Sequence, residues 1–115
     1  MKNKKGVSLV SIKSNSIILQ VFKLNNKVNL SFITLWFAKN ANKSCIDYAL
    51  LVNKSNFKHA TLRNKIKRQL RSILINSYLK GGVKILFKPN PFYLKKTYNE
   101  IQDKILVSID KYNEE

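Results

Sequence analysis

The stretch ATLRNKIKRQLRSILINSYLK, at Ala60–Lys80, has the clearest periodicity in the chain. Its apolar residues recur every three or four positions, which is typical of an amphipathic helix that buries one face. We predict that this helix ends at Gly81-Gly82, because glycine readily terminates helices. The buried stripe is predicted to contain Leu62, Ile66, Leu70, Ile73, Leu74 and Ser77.

Two runs rich in β-branched and aromatic residues precede this helix. SFITLWF at Ser31–Phe37 follows a polar turn at Asn25–Asn29, and IDYALLV covers Ile46–Val52. Both runs have the composition of strands. The polar segment Ala38–Ser44 between them predicts a hairpin in which the two strands pair antiparallel.

Helical spacing recurs towards both ends of the chain. SIILQVFK at Ser16–Lys23 places its apolar residues on one side, with Ser14 or Asn15 as the N-cap. Near the C-terminus, Thr97 and Glu100 have the spacing of a capping box, and apolar residues continue at three- and four-residue intervals beyond them. These patterns predict a short opening helix and a longer closing helix.

A third strand is predicted between the two glycines and the closing helix. VKILF at Val83–Phe87 is rich in β-formers, and Pro89 and Pro91 end it because proline cannot donate to a ladder. The predicted order of elements is αββαβα. The fold class is therefore α+β, a single-domain α/β sandwich built around one sheet.

The charge of the chain bounds its function. The 115 residues include 22 Lys and Arg against six Asp and Glu, a formal net charge of +16. With 44% hydrophobic residues, the chain is expected to fold despite this charge. The positive electrostatic field of such a protein favours binding to polyanions, above all nucleic acid. One cysteine excludes an internal disulfide, and no apolar run approaches the length of a membrane span. We expect a cytoplasmic protein with a disordered Met1–Gly6.

The arginines are concentrated in one place. The chain has 19 Lys but three Arg, and all three arginines lie within Arg63–Arg71. On a helix, these residues with Asn64 and Lys67 share an arc beside the apolar stripe. A solvated face is the alternative interpretation, but arginine offers a planar fork that grips phosphate or stacks on a base, and lysine does not. This face is predicted to bind RNA or DNA specifically.

The segment Arg63–Arg71, RNKIKRQLR, resembles the signature helix of the bacterial ribonuclease P protein component, whose pattern is Arg-Asn-Arg-x-Lys-Arg-x-x-Arg. Lys65 is a conservative departure, and Ala60 matches an alanine in the family's turn before the helix. The resemblance extends over roughly Ser11–Tyr112. It implies an α/β sandwich with a left-handed βαβ crossover through the arginine-rich helix, an exception to the usual handedness.

The resemblance also implies a function. The family's RNA subunit performs the metal-dependent removal of the 5′ leader from precursor tRNA, and the protein contacts both the RNA subunit and the leader. The implied partners are the ribonuclease P RNA subunit and precursor tRNA, with Mg²⁺ bound through the RNA subunit, and no membrane, obligate protein partner or protein-bound metal. Phe22 and Trp36 are candidates for a leader cleft, with core packing as the alternative. The candidate RNA-binding residues are Lys54, Lys58, Arg63, Asn64, Lys65, Lys67, Arg68 and Arg71.

Other functions fit the sequence less well. Five of the six acids lie at Glu100 or beyond, and His59 and Cys45 lack metal-ligand spacing, so an independent catalytic site is not predicted. We expect His59 to start the helix or contact phosphate, and Cys45 to pack. The main alternative is a basic ribosomal or RNA-chaperone protein without processing activity. An amphipathic binder of membrane surfaces ranks last, because the apolar faces are needed as core.

Overall fold

A five-stranded sheet forms the centre of the computed structural model, which describes residues 1–24 and 26–115. The strands lie in the order β1-β4-β5-β3-β2 across the sheet. Strands β1, β4 and β5 run parallel to one another, whereas β3 is antiparallel to both β5 and β2. The strands are β1 (Ser8–Ser11), β2 (Lys27–Asn29), β3 (Ile33–Lys39), β4 (Cys45–Leu50) and β5 (Val83–Pro89).

Three α-helices cover the sheet, α1 (Asn15–Lys23), α2 (Ala60–Ile75) and α3 (Tyr98–Asn113). Helices α2 and α3 pack on one face, where their apolar stripes and the sheet form the main core. Helix α1 packs on the other face over a smaller cluster. A 3-10 turn at Pro91–Lys95 connects β5 to α3. The α+β class is confirmed, and the element order is βαβββαβα.

The predicted hairpin between Ser31–Phe37 and Ile46–Val52 is wrong. Both segments form strands, but β5 lies between them and pairs with β3 on one side and β4 on the other. Strand β5 is buried on both faces, with Ile85, Leu86 and Phe87 all inaccessible to solvent, which suits the centre of a sheet. Strand β4 therefore connects to its parallel neighbour β5 through α2. The left-handed sense of this crossover stays a prediction.

Helix α2 begins at the predicted residue but ends at Ile75, five residues before the predicted end. Asn76 is its C-cap, and the buried Ser77 donates its hydroxyl hydrogen bond to the Leu74 carbonyl oxygen at 2.7 Å. The two glycines serve the following turn instead. Gly82 has a φ of +81°, and a side chain at Gly81 would collide with the Lys43 carbonyl oxygen.

Two short strands and an ordered N-terminus were not predicted. Strand β1 is absent from the predicted order, and Lys27–Asn29 is a strand where a turn was expected; Asn25 lies outside the described residues. Disorder was expected for Met1–Gly6, but in the structure this segment packs against the protein and Asn3 is buried. Its amide nitrogen donates to the Leu79 carbonyl oxygen at 2.9 Å, which pins the terminus beside the end of α2.

The predicted start of α1, the alternation in β3 and the capping box of α3 are confirmed. Helix α1 has Ser14 as its N-cap, and Ile33 alternates with Thr34 between the two faces of β3. Helix α3 begins with the predicted capping box: Thr97 Oγ1 accepts from the Glu100 backbone N–H at 3.2 Å, and the Glu100 carboxylate accepts from the Thr97 N–H at 3.4 Å. Strand β5 runs on through Pro89, which pairs with Ile33, so the predicted strand Val83–Phe87 is two residues short.

Candidate nucleic-acid interface

The outer face of α2 is cationic along most of its length. The inner face buries Ile66, Leu70, Ile73 and Leu74 against the sheet, as the helical period predicts. On the outer face Asn64, Lys65 and Arg68 are exposed, and Arg63, Lys67 and Arg71 are half-buried. The helix has five cationic side chains and no acidic one. Because long basic side chains can lie along apolar surface, their charged groups reach solvent from both positions.

No carboxylate of the described residues forms an ion pair with a cation of this face. Within residues 1–24 and 26–115, the one ion pair is that of Lys96 with Glu100, at 4.0 Å. Most acids lie on or beside α3, which packs next to α2 but turns its charged side chains to solvent. The cations of α2 therefore face solvent with their charges uncompensated. Such a face attracts polyanions strongly at low salt.

Arg63 has a structural contact that its place in the motif did not predict. Its Nη1 donates to the carbonyl oxygens of Phe57 at 2.8 Å and Lys58 at 3.0 Å. Phe57 is almost completely buried, so the guanidinium ties the loop before α2 to the helix and to the core. One nitrogen of the Arg63 guanidinium is thus used for hydrogen bonds within the protein. Among the described contacts, Arg68 and Arg71 make no such hydrogen bond to the backbone of the loop.

The loop before α2 brings Lys54 and Lys58 to the start of the helix. Both lysines are exposed. The loop is held by Asn53, whose Oδ1 accepts from the backbone N–H of Asn56 and the hydroxyl of Ser55, each at 3.0 Å. The structure therefore brings together the eight candidate RNA-binding residues on α2 and on the loop leading into it.

Lys67 and Arg71 also line a groove that leads away from α2. The groove has a volume of about 220 Å³ and passes the end of β4 to reach Ile18 on α1. Ser11, the last residue of β1, and Ile12 also line the groove. The groove connects the cationic face of α2 with the sheet face on which α1 lies.

Phe22 and Trp36 meet on the α1 face of the sheet. Their ring centroids are 4.7 Å apart with an interplanar angle of 65°, an edge-to-face arrangement. Both are half-buried and pack against the smaller cluster that contains Val21 and Leu86. Each residue thus contributes to packing and keeps part of its surface accessible.

Two lysines near these aromatics were missed by the sequence analysis. Lys27 on β2 lies directly opposite Trp36, and Lys88 on β5 lies opposite Thr34, both on the α1 face and both exposed. The alternation within VKILFK could have placed Lys88 on the face of Leu86. Lys27 could not have been placed, because the sequence did not predict β2.

The side chains of Cys45 and His59 do not form a reactive pair. Cys45 is buried, and burial together with the neighbouring Asp47 carboxylate raises the pKa of its thiol above the ordinary value, which keeps it protonated and unreactive. His59 is the exposed N-cap residue of α2 and makes no side-chain capping hydrogen bond. In the described ranges, no three His, Cys, Asp or Glu side chains cluster closely enough to hold a metal ion. Every helix there is too short or too polar to cross a lipid bilayer.

Comparison with known proteins identifies the family. The family model described as Ribonuclease P matches residues 8–113. The ribonuclease P protein component of Ureaplasma urealyticum serovar 10 is 29% identical over 89 residues, covering 72% of each chain. That of Ureaplasma parvum serovar 3 is 32% identical over 89 residues, covering 72% of this chain and 75% of the relative.

Solved structures share the fold. The Staphylococcus aureus RNase P protein superposes with a TM-score of 0.72 at 23% identity, covering 89% of this chain and 93% of that one. The Thermotoga maritima RNase P protein gives 0.71 at 19% identity, covering 88% and 96%. Since the family model spans nearly the whole sequence, including the arginine-rich helix and both packed faces of the sheet, the chain belongs to the ribonuclease P protein family.

Proposed function

We propose that this chain is the protein subunit of a ribonuclease P holoenzyme and assists the removal of the 5′ leader from precursor tRNA. The observation that carries the proposal is the outer face of α2, where five cations lie together without a carboxylate partner in the described part of the chain. Membership of the ribonuclease P protein family favours this function over that of a ribosomal protein or RNA chaperone.

The face of α2 and its preceding loop bind the RNA subunit. A helix of 16 residues is about 24 Å long, so its exposed side chains can contact phosphates over several nucleotides. Arg68 and Arg71 supply bidentate forks for phosphate, whereas Lys67 and the loop lysines supply point charges. Arg63 has a double role in this scheme, because it holds the loop in place while its other nitrogens face the RNA.

The α1 face binds the leader. Phe22 and Trp36 provide aromatic surface for unpaired bases, and Lys27 and Lys88 lie close enough on the sheet to contact the connecting phosphates. Stacking tolerates any base, which suits a substrate set with different leaders. The groove lined by Lys67 and Arg71 supports this arrangement, since it runs from the RNA-subunit surface to Ile18 on α1, the helix that also contains Phe22.

We assign the hydrolysis to the RNA subunit, together with the Mg²⁺ ions that the reaction requires. The chain's contribution is to neutralise phosphate charge and to position the precursor. The distribution of charge in the fold supports this division, because five of the six acids lie on or beyond α3, and the sixth, Asp47, lies opposite Lys84 on the neighbouring strand. In this role the protein acts in the cytoplasm with its RNA subunit and precursor tRNA as its only required partners.

Reconstitution tests the proposal. Purified chain, transcribed ribonuclease P RNA and precursor tRNA are combined in Mg²⁺, and release of the leader is followed at low and high protein concentration. We expect the protein to increase cleavage under physiological salt, with an affinity that falls steeply as salt rises. Rigorously RNA-free protein is expected to release no leader. Cleavage by protein alone, or a salt-independent affinity, would overturn the proposal.

A further inference from the structure

An exposed aromatic side chain lies outside both proposed RNA surfaces. Phe92, in the 3-10 turn after β5, is 57% exposed, and Leu94 beside it is 53% exposed. Between them Tyr93 points inward and is 3% exposed. The turn therefore exposes the side chains of Phe92 and Leu94 to solvent and buries that of Tyr93.

The start of the turn that carries Phe92 is fixed by the side chain of Asn90. The side-chain oxygen of Asn90 accepts from the Phe92 N–H at 2.8 Å, and its side-chain nitrogen donates to the Ser31 carbonyl oxygen at 3.1 Å. Proline at position 91 restricts the first residue of the turn. A ring held in this way loses little conformational freedom when it binds a planar partner.

The same turn is attached to the cationic helix. The Tyr93 hydroxyl donates to the Gln69 side-chain oxygen on α2 at 2.9 Å, and burial raises the pKa of Tyr93, which keeps this donor protonated. Gln69 is the neighbour of Arg68 in the sequence of α2. Phe92 is thus placed at a fixed distance from the surface proposed to bind RNA.

The surroundings of Phe92 are basic. The Lys95 Nζ lies 5.3 Å from the Phe92 ring centroid, and Lys88 and Lys96 are exposed on either side of the turn in sequence. Glu100 is the acid nearest in sequence, and it is paired with Lys96. An apolar protein partner would gain nothing from these charges, whereas a nucleotide offers an aromatic base for the ring and a phosphate for the lysines.

We propose that Phe92 is a third RNA contact, a stacking platform for one unpaired nucleobase whose adjacent phosphate is bound by Lys95. This inference rests on the proposed function. The base can belong to the RNA subunit or to the precursor tRNA, since the chemistry of recognition is the same for both. The turn lies next to α2, which favours the RNA subunit, and Lys88 on β5 faces the leader surface.

Substitutions that separate stacking from apolar contact test the proposal. Phe92→Ala is expected to weaken binding by about 5- to 150-fold, which corresponds to the 1–3 kcal/mol range for one stacked base. Phe92→Trp is expected to restore the affinity, whereas Phe92→Leu, which keeps an apolar side chain without a π-face, is not. The matched control is Tyr78→Ala, because Tyr78 is equally exposed, at 58%, but lies at the other end of α2. Its effect should be below threefold.

Two binding measurements identify the source of the base. Affinity for transcribed ribonuclease P RNA is measured first, followed by affinity of the assembled holoenzyme for precursor and mature tRNA. A loss in the first measurement assigns the base to the RNA subunit, and a loss confined to precursor tRNA assigns it to the leader. Full affinity of Phe92→Ala in both, full affinity of Phe92→Leu, or an equal loss in Tyr78→Ala would overturn the inference. Arg68→Ala serves as the reference variant. If Arg68→Ala loses affinity for ribonuclease P RNA and the Phe92 variants do not, the proposed function stands and the third contact does not.

Discussion

Helices α2 and α3 have the same length, 16 residues, and pack side by side on the same face of the sheet, yet their surfaces differ. Helix α3 has a capping box, an acid in its first turn and a lysine in its last turn, all of which stabilise a helix locally. Helix α2 has none of these features. Its charged residues are all basic, and pairs such as Arg63 with Lys67 repel each other at four-residue spacing.

The difference teaches where each helix obtains its stability. Helix α3 is stabilised by its own sequence as well as by burial. Helix α2 depends almost entirely on burial of its four core residues and on the Arg63 contact with the preceding loop. Because the outer face of α2 forms no stabilising ion pairs among the described residues, its cations are available to bind a polyanion. The comparison therefore predicts that substitutions on α2 change binding more than stability, and that substitutions on α3 do the opposite.

The largest expected effect is on RNA binding by α2. Neutralising three cations together, with Lys67→Gln, Arg68→Gln and Arg71→Gln, should weaken binding to the RNA subunit by about a thousandfold, at about tenfold per lost charge-assisted contact. The slope of log affinity against log salt should also become shallower. The control neutralises Lys104 and Lys111 on α3 and should change the affinity less than threefold. Equal losses in both variants would mean that total charge, and not the α2 face, determines binding.

The next effect concerns the α1 face. Phe22→Ala or Trp36→Ala should weaken the holoenzyme's binding of precursor tRNA by about 1–3 kcal/mol per lost stack and leave mature tRNA nearly unchanged. Trp36→Phe, which retains an aromatic face, should keep most of the affinity. Because both residues also pack in the smaller cluster, thermal unfolding must be measured on the same samples. Folded variants that keep the full preference for precursor tRNA would assign these rings to the core alone.

A third effect separates two arginines of the same motif. Arg63→Ala should lower the free energy of unfolding by about 1–2 kcal/mol, because two carbonyl oxygens of the loop lose their donor. Arg68→Ala, at an exposed position of α2, should change the unfolding free energy by less than about 0.5 kcal/mol. Urea unfolding of the free protein measures both. If the two variants unfold alike, the Arg63 contact contributes nothing to the loop.

The smallest effect compares the helix starts. Thr97→Ala removes the cap of α3 and should cost about 1 kcal/mol of unfolding free energy. His59→Ser offers α2 the cap that it lacks and should stabilise the protein by about 0.5–1 kcal/mol. Neither change should alter affinity for the RNA subunit more than threefold. A loss of RNA affinity in His59→Ser would instead assign His59 to the interface, as a phosphate contact.

The sequence predicted what local patterns determine. The start and buried face of α2, the capping box of α3 and the alternation in β3 all depend on neighbours within a few residues, and these predictions are confirmed. Strand pairing depends on distant residues, so β5 was not foreseen between β3 and β4. The three- and four-residue strands β2 and β1 contain polar residues and have little periodicity to detect.

The candidate site divides in the same way. The cationic arc on α2 follows from helical geometry and needed no structure. The Arg63 contact with Phe57 and Lys58 depends on the path of a loop, and the proximity of Lys27 to Trp36 depends on a strand that sequence alone did not reveal. The exposure of Phe92 depends on which side of a 3-10 turn faces Gln69.

The central position of β5 has a consequence for synthesis of the chain on the ribosome. Strand β5 is the last strand to be translated, yet it joins the β1–β4 pair to the β3–β2 pair. Until it emerges, the two halves of the sheet have no common partner, and the apolar stripe of α2 has no complete surface to cover. The cationic helix is therefore translated before the sheet that shelters its buried side can close. During that interval the nascent chain presents basic and apolar surface together, and the interval lasts until β5 has formed its long-range pairs with β3 and β4.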